Sequence, residues 1–146
     1  MLDMKPGDIV FVRGKGPISR IIRFYDKGDF SHVAIAVSRT HILEAQYYTK
    51  SRIYPFYFDD YEILRLDFTD EERQEVIKMG IQLCGKWYDY SQILGYLLNK
   101  PRNNPNNLIC SEMVATILSE LGKLPASAVI NLKPNELYNL LKEHVS

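Results

Sequence analysis

A cysteine and a histidine in this 146-residue chain have the surroundings that thiol chemistry requires. Cys110 begins the segment Cys110-Ser-Glu-Met-Val-Ala-Thr-Ile-Leu118, whose pattern predicts a helix, and His32 lies in Ser31-His-Val-Ala-Ile-Ala-Val37, which predicts a strand. A helix N-terminus and a neighbouring imidazolium both stabilise a thiolate. The pattern therefore predicts Cys110 as a nucleophile in the first turn of a helix, with His32 as its general base.

Glu44 is the predicted third member of this site. If Ser38-Arg-Thr-His41 forms the turn of an antiparallel hairpin, residue 34 lies opposite residue 44, and Glu44 shares a sheet face with His32. A single carboxylate between apolar neighbours is costly to bury unless it has a partner, which the imidazole provides. Gln46, on the same face, is a substitute for orienting the ring. The alternative for Glu44 is an edge-strand carboxylate that faces water.

Both cysteines have a plain structural alternative, because free cysteine is among the most buried residue types. The side chains that share the helical spacing of Cys110 are Met113, Val114, Ile117 and Leu121. The position of Cys110 favours its role as a nucleophile. It follows the polar segment Asn99–Asn107, which is predicted to be a loop, and the amides of residues 110 and 111 could form an oxyanion hole at the helix start. Cys84 lies late in its predicted helix and is assigned to the core.

The elements that position these residues change character along the chain. Apolar alternation predicts strands in the first half, and helical spacing predicts helices in the second, with one short helix among the strands. The predicted strands are Ile9–Val12, Val33–Val37, Ile42–Ala45 and Tyr61–Leu66. The predicted helices are Pro17–Tyr25, Thr69 to about Gly85, Tyr90–Leu98, Cys110–Gly122 and Pro134–Leu141. The stripe predicted to be buried on the helix after Thr69 is Val76, Ile77, Gly80, Ile81 and Cys84. One α+β domain over residues 1–146 is expected.

The segment Tyr47–Tyr61 is rich in aromatic residues and directly follows the Glu44 strand. Aromatic side chains supply large apolar surfaces, so the segment could line an apolar substrate groove beside the site. It could equally be a loop that covers the sheet. The sequence leaves both interpretations open.

Composition and charge exclude several other classes of function. Eighteen basic and 18 acidic side chains give a formal net charge of zero, which favours neither nucleic acid nor an anionic membrane as a partner. Neither a transmembrane segment nor a signal peptide is visible, so a cytoplasmic location is expected. Two cysteines and three histidines form no zinc pattern. We therefore expect no metal and no cofactor, and the oligomeric state stays open.

Short motifs follow one another in a characteristic order along nearly the whole chain. They are Gly7-Asp-Ile-Val10, Ser19-x-x-Ile22, Ser31-His-Val-Ala-Ile35, Leu43-Glu-Ala45, Gly85-x-x-Tyr-Asp89, Cys110-Ser-Glu-Met-Val114 and Lys133-Pro-x-x-Leu137. This order resembles that of circularly permuted NlpC-type papain-like hydrolases, a YiiX-like and lecithin:retinol acyltransferase-like group. The resemblance implies a papain-like fold with an antiparallel sheet or half-barrel packed against helices, in which the histidine strand precedes the cysteine helix.

Carried onto this sequence, the resemblance implies Cys110 as nucleophile, His32 as general base and Glu44 as orienting residue. It implies cleavage of an amide, in a peptide or cell-wall fragment, or of a related acyl bond, through a thioester on Cys110. An acyltransferase or lipid-handling thioesterase that acts on an acyl-lipid with the same three residues is the first alternative. A binding module that keeps the fold without turnover is the second.

Overall fold

An antiparallel sheet forms the centre of the computed structural model, which describes residues 3–13, 30, 32–45, 51–84, 105–124 and 134–145. For residues 105–112, 144 and 145 the description covers the backbone alone. The five strands lie in the order β4-β3-β2-β1-β5. Their bounds are β1 Ile9–Val12, β2 His32–Ala36, β3 His41–Glu44, β4 Arg52–Pro55 and β5 Tyr61–Leu64.

Helices follow the sheet in the sequence, which confirms the predicted α+β class. They are α1 Asp70–Leu83, α2 Pro105–Glu120 and α3 Pro134–Val145. Thr69 caps α1: its hydroxyl accepts from the amide of Glu72, whose carboxylate accepts from the amide of Thr69. The predicted helices Pro17–Tyr25 and Tyr90–Leu98 lie outside the described residues. Among the helices described, none is long and apolar enough to cross a membrane.

The β2–β3 hairpin has the predicted register. Ile35 pairs with Leu43 and Ala36 with Ile42, which places residue 34 opposite residue 44. The turn closes where the amide of Val37 donates to the carbonyl of His41 over 3.0 Å. Because side chains alternate along a strand, this register puts His32 and Glu44 on one face of the sheet.

The two faces of the sheet have different covers. Odd-numbered side chains of β2 and β3 belong to the main core, which also contains Met113, Val114 and Ile117 of α2. Even-numbered side chains belong to a second cluster, against which Phe56, Phe58 and Tyr61 pack. Helix α2 packs against β2 on the first face. His32 and Glu44 therefore share the face covered by aromatic residues, opposite the face that α2 covers.

Strand β4 was not predicted, because the aromatic segment that contains it was interpreted as a loop or groove wall. Arg52–Pro55 pairs with β3, and Arg52 lies opposite Glu44 in the ladder. The strand is short, lies at the sheet edge and ends in a proline, so it lacks the apolar alternation by which a buried strand is predicted. Its importance lies in bringing a cation to Glu44.

The buried stripe of α1 differs from the prediction, and the assignment of Cys84 to the core was wrong. The buried residues of α1 are Val76 and Gly80, whereas Ile81 is 62% exposed. Helix α1 ends at Leu83, and Cys84 follows as an exposed cap residue with extended backbone angles. The chain leaves the helix there, so the 3.6-residue spacing no longer applies to Cys84.

Helix α2 begins five residues before the predicted start. It starts at Pro105, so Cys110 lies in its second turn rather than its first. Proline suits the first position of a helix, and this preference outweighs the polar composition of residues 105–107. The stripe predicted for this helix is confirmed at Met113, Val114 and Ile117, which are buried.

Candidate active site

The centre of the candidate site is a hydrogen-bonded pair across the β2–β3 hairpin. Nε2 of His32 lies 2.9 Å from Oε1 of Glu44. Glu44 is 1% exposed, whereas the His32 side chain is 14% exposed. The sequence predicted that the two residues share a face, and the structure brings them into contact. The imidazole therefore lies between a buried carboxylate and the outside of the molecule.

Two further side chains contact Glu44, and neither was predicted to be a site residue. Arg52 donates from Nε and Nη2 to Oε2, over 2.9 Å and 2.8 Å. The hydroxyl of Tyr57 lies 2.8 Å from Oε1 and 2.9 Å from Oε2. The position of Arg52 opposite Glu44 follows from the β3–β4 register. Predicting this contact would have required predicting strand β4 first. The position of Tyr57 depends on a loop, for which no periodic pattern exists.

These contacts keep Glu44 ionised. Burial alone would raise the pKa of Glu44, because it penalises the charged form. The hydrogen bond and charge of His32, followed by the hydrogen bonds of Tyr57 and Arg52, outweigh burial and lower the pKa below its usual value. An ionised carboxylate only accepts hydrogen bonds, so in the neutral ring Nε2 of His32 must carry the proton. Nδ1 is then the basic nitrogen.

The strand that carries His32 is tied to α3 just before the histidine. The amide of Phe30 donates to Oδ1 of Asn135 over 3.0 Å, and Nδ2 of Asn135 donates to the carbonyl of Phe30 over 2.9 Å. The ring of Phe58 lies 5.7 Å from the imidazole, centroid to centroid. Hydrogen bonds to α3 thus hold the backbone before His32, and Phe58 lies beside its ring. Neither contact involves Glu44.

Cys110 is placed by the structure only through its backbone in α2. Its side chain lies outside the described residues, as does Gln46, so the distance from the Cys110 sulfur to His32 stays a prediction. The start of α2 at Pro105 does correct the proposed oxyanion hole. In a helix that begins there, the amides of residues 110 and 111 are internal and donate to carbonyls four residues earlier.

The pH dependence of the free energy of unfolding will report on the ionisation of Glu44. A carboxylate whose pKa is lowered by folding stabilises the protein above its unfolded value, near 4.5, and this stabilisation disappears as the pH falls through the folded value. Between pH 6 and pH 3 the wild type should lose more of its free energy of unfolding than Glu44→Gln, which cannot titrate there, by at most about 2 kcal/mol. Urea unfolding at each pH measures the difference.

The matched control for this titration is Glu75→Gln. Glu75 pairs with Lys78 at the surface of α1, over 3.5 Å. Exposed pairs contribute little to stability, so this variant should keep the wild-type pH dependence. Equal pH slopes for the wild type and Glu44→Gln would show that the contacts of Glu44 with His32, Arg52 and Tyr57 do not stabilise its ionised form.

No group of three or more His, Cys, Asp or Glu side chains is placed to hold a metal ion in the part of the chain that the structure describes. The pair of His32 and Glu44 is joined by Arg52, a cation, where a metal site would have a third ligand.

Comparisons with known proteins agree with this arrangement. A family model for permuted papain-like amidase enzymes, YaeF/YiiX, C92 family, matches residues 3–137. The crystal structure of the metalloprotein yiiX from Escherichia coli O157:H7 (DUF1105) has a similar fold. Its TM-score is 0.56 at 18% identity, over 97% of this chain and 82% of that one. A search of curated proteins found no significant match. Because the family model spans most of the sequence, the chain belongs to the permuted papain-like amidases of the YaeF/YiiX family, which are cysteine hydrolases.

Proposed function

We propose that this protein cleaves amide bonds in peptides or peptidoglycan-type fragments, with Cys110 as nucleophile, His32 as general base and Glu44 as the residue that orients His32. The observation that carries the proposal is the hydrogen bond between His32 and the buried Glu44, in a chain of the permuted papain-like amidase family. A buried carboxylate that holds an imidazole in one orientation is the support that a general base needs.

The proposed reaction begins with proton transfer. Nδ1 of His32 takes the proton of the Cys110 thiol, and the thiolate attacks the carbonyl carbon of the amide. The tetrahedral intermediate collapses to a thioester on Cys110, and the imidazolium gives its proton to the departing amine. His32 then deprotonates a water, which attacks the thioester; the C–S bond breaks, the acid is released, and the Cys110 sulfur takes the proton back from His32. Glu44 stays ionised throughout and stabilises the imidazolium that forms twice in the cycle.

The two faces of the sheet restrict how the thiol approaches. Helix α2 packs against one face of β2, whereas His32 and Glu44 lie on the other. His32 is the first residue of β2. We therefore place the meeting of Cys110 and His32 at the end of the sheet, where β2 begins, rather than across either face. A substrate would bind along that end, beside Tyr57, which is exposed there.

An acyl-enzyme adduct tests this proposal. The protein is mixed with a panel of peptide amides, cell-wall peptide fragments and acyl esters, quenched in acid within seconds, and analysed by mass spectrometry. We expect substrate-dependent acylation on the Cys110 peptide for an amide of the panel, with release of its amine. Acylation by acyl-lipid esters alone, with transfer to another acceptor, would point instead to the acyltransferase. Amide cleavage without any adduct, and insensitive to iodoacetamide, would contradict the proposal.

A further inference from the structure

Glu44 has more partners than an orienting carboxylate needs. Among the described residues, its polar contacts come from His32 on β2, Arg52 on β4 and Tyr57 in the segment that follows β4. His32 uses one oxygen, Arg52 uses the other, and Tyr57 lies within hydrogen-bond distance of both. We infer that Arg52 and Tyr57 are positioning residues that keep Glu44 ionised and oriented, so that His32 holds the tautomer required of a general base. This inference rests on the function proposed above.

The charge of Arg52 is needed because His32 cannot be a permanent counter-ion. The imidazole is neutral while it waits for the thiol proton and cationic afterwards. At 1% exposure, Glu44 would lack a full counter-charge in the neutral stage if Arg52 were absent. The carboxyl would then be protonated more easily, and its protonated form can donate to Nε2 of His32 and leave the ring proton on Nδ1. A ring with that tautomer cannot accept the thiol proton.

Tyr57 fixes the geometry of Glu44 in addition to stabilising its charged form through a hydrogen bond. Its hydroxyl spans both oxygens of Glu44, which sets the rotation of the carboxylate plane and leaves Oε1 aimed at His32. Burial, followed by the hydrogen bond and charge of Glu44, raises the pKa of Tyr57 well above its usual value, so the hydroxyl remains a donor. Arg52 also stacks on the ring of Tyr54, with its guanidinium carbon 3.9 Å from the ring centroid, which orients its fork toward Glu44.

The chain offers matched controls for both residues. Tyr54 and Tyr57 are 42% and 44% exposed and lie in the same segment, but only Tyr57 reaches Glu44. Tyr54→Phe therefore repeats the substitution Tyr57→Phe without touching the carboxylate, and it keeps the ring under Arg52. Arg39 pairs at the surface with Asp3, over 3.4 Å. Arg39→Gln thus removes one cation, as Arg52→Gln does, away from the site.

Two readouts test the inference. The first is the ring tautomer of His32, from nitrogen-15 NMR of the neutral ring at a pH chosen from its own titration and assigned by comparison with His32→Ala. The second is the rate of Cys110 alkylation by iodoacetamide, in a Cys84→Ser background. Tyr57→Phe and Arg52→Gln should each lower the share of the Nε2–H tautomer and slow alkylation, by about tenfold for Arg52→Gln. Arg52→Lys should recover part of both, and the two controls should match the parent.

The outcomes separate this inference from the proposed function. Wild-type tautomer and alkylation rate in both Tyr57→Phe and Arg52→Gln would overturn the positioning roles, while slow alkylation in His32→Ala would still support the proposed function. Parent-like alkylation in His32→Ala would overturn the proposed function itself. Thermal unfolding verifies that each variant is folded. If Arg52→Gln does not fold, Arg52→Lys and Tyr57→Phe decide the question, because each changes the contacts of one partner of Glu44 and keeps the side chain's bulk.

Discussion

Cys110→Ala and His32→Ala will each reduce turnover of an amide substrate by about 10⁴-fold or more, because nucleophile and base act as one unit. Without the thiol no thioester forms, and without the imidazole neither the thiol nor the leaving amine has a proton carrier. The loss is measured with a substrate identified from the panel, and mass spectrometry monitors the release of its amine. Circular dichroism should show an unchanged fold.

Two variants set the scale of that loss. Cys84→Ser should retain full turnover, since Cys84 is an exposed residue at the end of α1. Glu44→Gln should be milder than either main variant, because an amide oxygen can still orient the ring. Its nitrogen, however, would face donors from Arg52 or Tyr57, so the loss should exceed that of a surface substitution. Full activity in Cys110→Ala would show that the thioester mechanism is wrong.

Iodoacetamide should label Cys110 about 100-fold faster than Cys84 near pH 6. Ordinary thiols are almost entirely protonated at that pH, whereas a thiol that can pass its proton to an adjacent imidazole is partly ionised and reacts. Cys84 is exposed, so this contrast cannot come from shielding of Cys84. Peptide mapping after timed quenching gives both rates in one sample, and His32→Ala should remove most of the difference.

The exposure of Cys84 makes the labelling test more demanding than the sequence implied. A core cysteine would have been slow to react whatever the state of Cys110. An exposed one reports the rate of a thiol that the reagent can reach. Equal rates at the two cysteines, or faster labelling of Cys84, would remove the basis for naming Cys110 as the nucleophile.

The contact between His32 and Glu44 was predictable because a short turn and strict alternation determine the register of a hairpin. The same reasoning placed β1, β2, β3 and β5 within a few residues of their observed bounds. The family followed from the order of motifs. All of these features depend on patterns within short stretches of the sequence.

What the sequence did not predict depends on competition between local signals or on distant contacts. Pro105 starts α2 within a segment whose asparagines suggested a loop, and this moved Cys110 into the second turn. Arg52 reaches Glu44 only because a short edge strand pairs with β3. Tyr57 reaches it from a loop. No periodicity encodes either contact, although both have consequences for the charge of the site.

The proposed mechanism depends on where the Cys110 side chain lies relative to the face of the sheet that the aromatic residues cover. Helix α2 and the pair of His32 and Glu44 lie on opposite faces of β2, so packing alone gives the thiol no reason to reach the imidazole. If the side chains of Cys110 and His32 are in contact at the end of the sheet, a shared catalytic role is the simplest explanation of that contact.

A crystal structure that resolves both side chains tests this directly, through the distance from Sγ of Cys110 to Nδ1 of His32. We expect about 4 Å, with Glu44 retained on Nε2 and all three residues at one cleft. A separation of more than about 8 Å, with no loop able to close it, would contradict the enzyme mechanism and leave a binding module with the fold of the family.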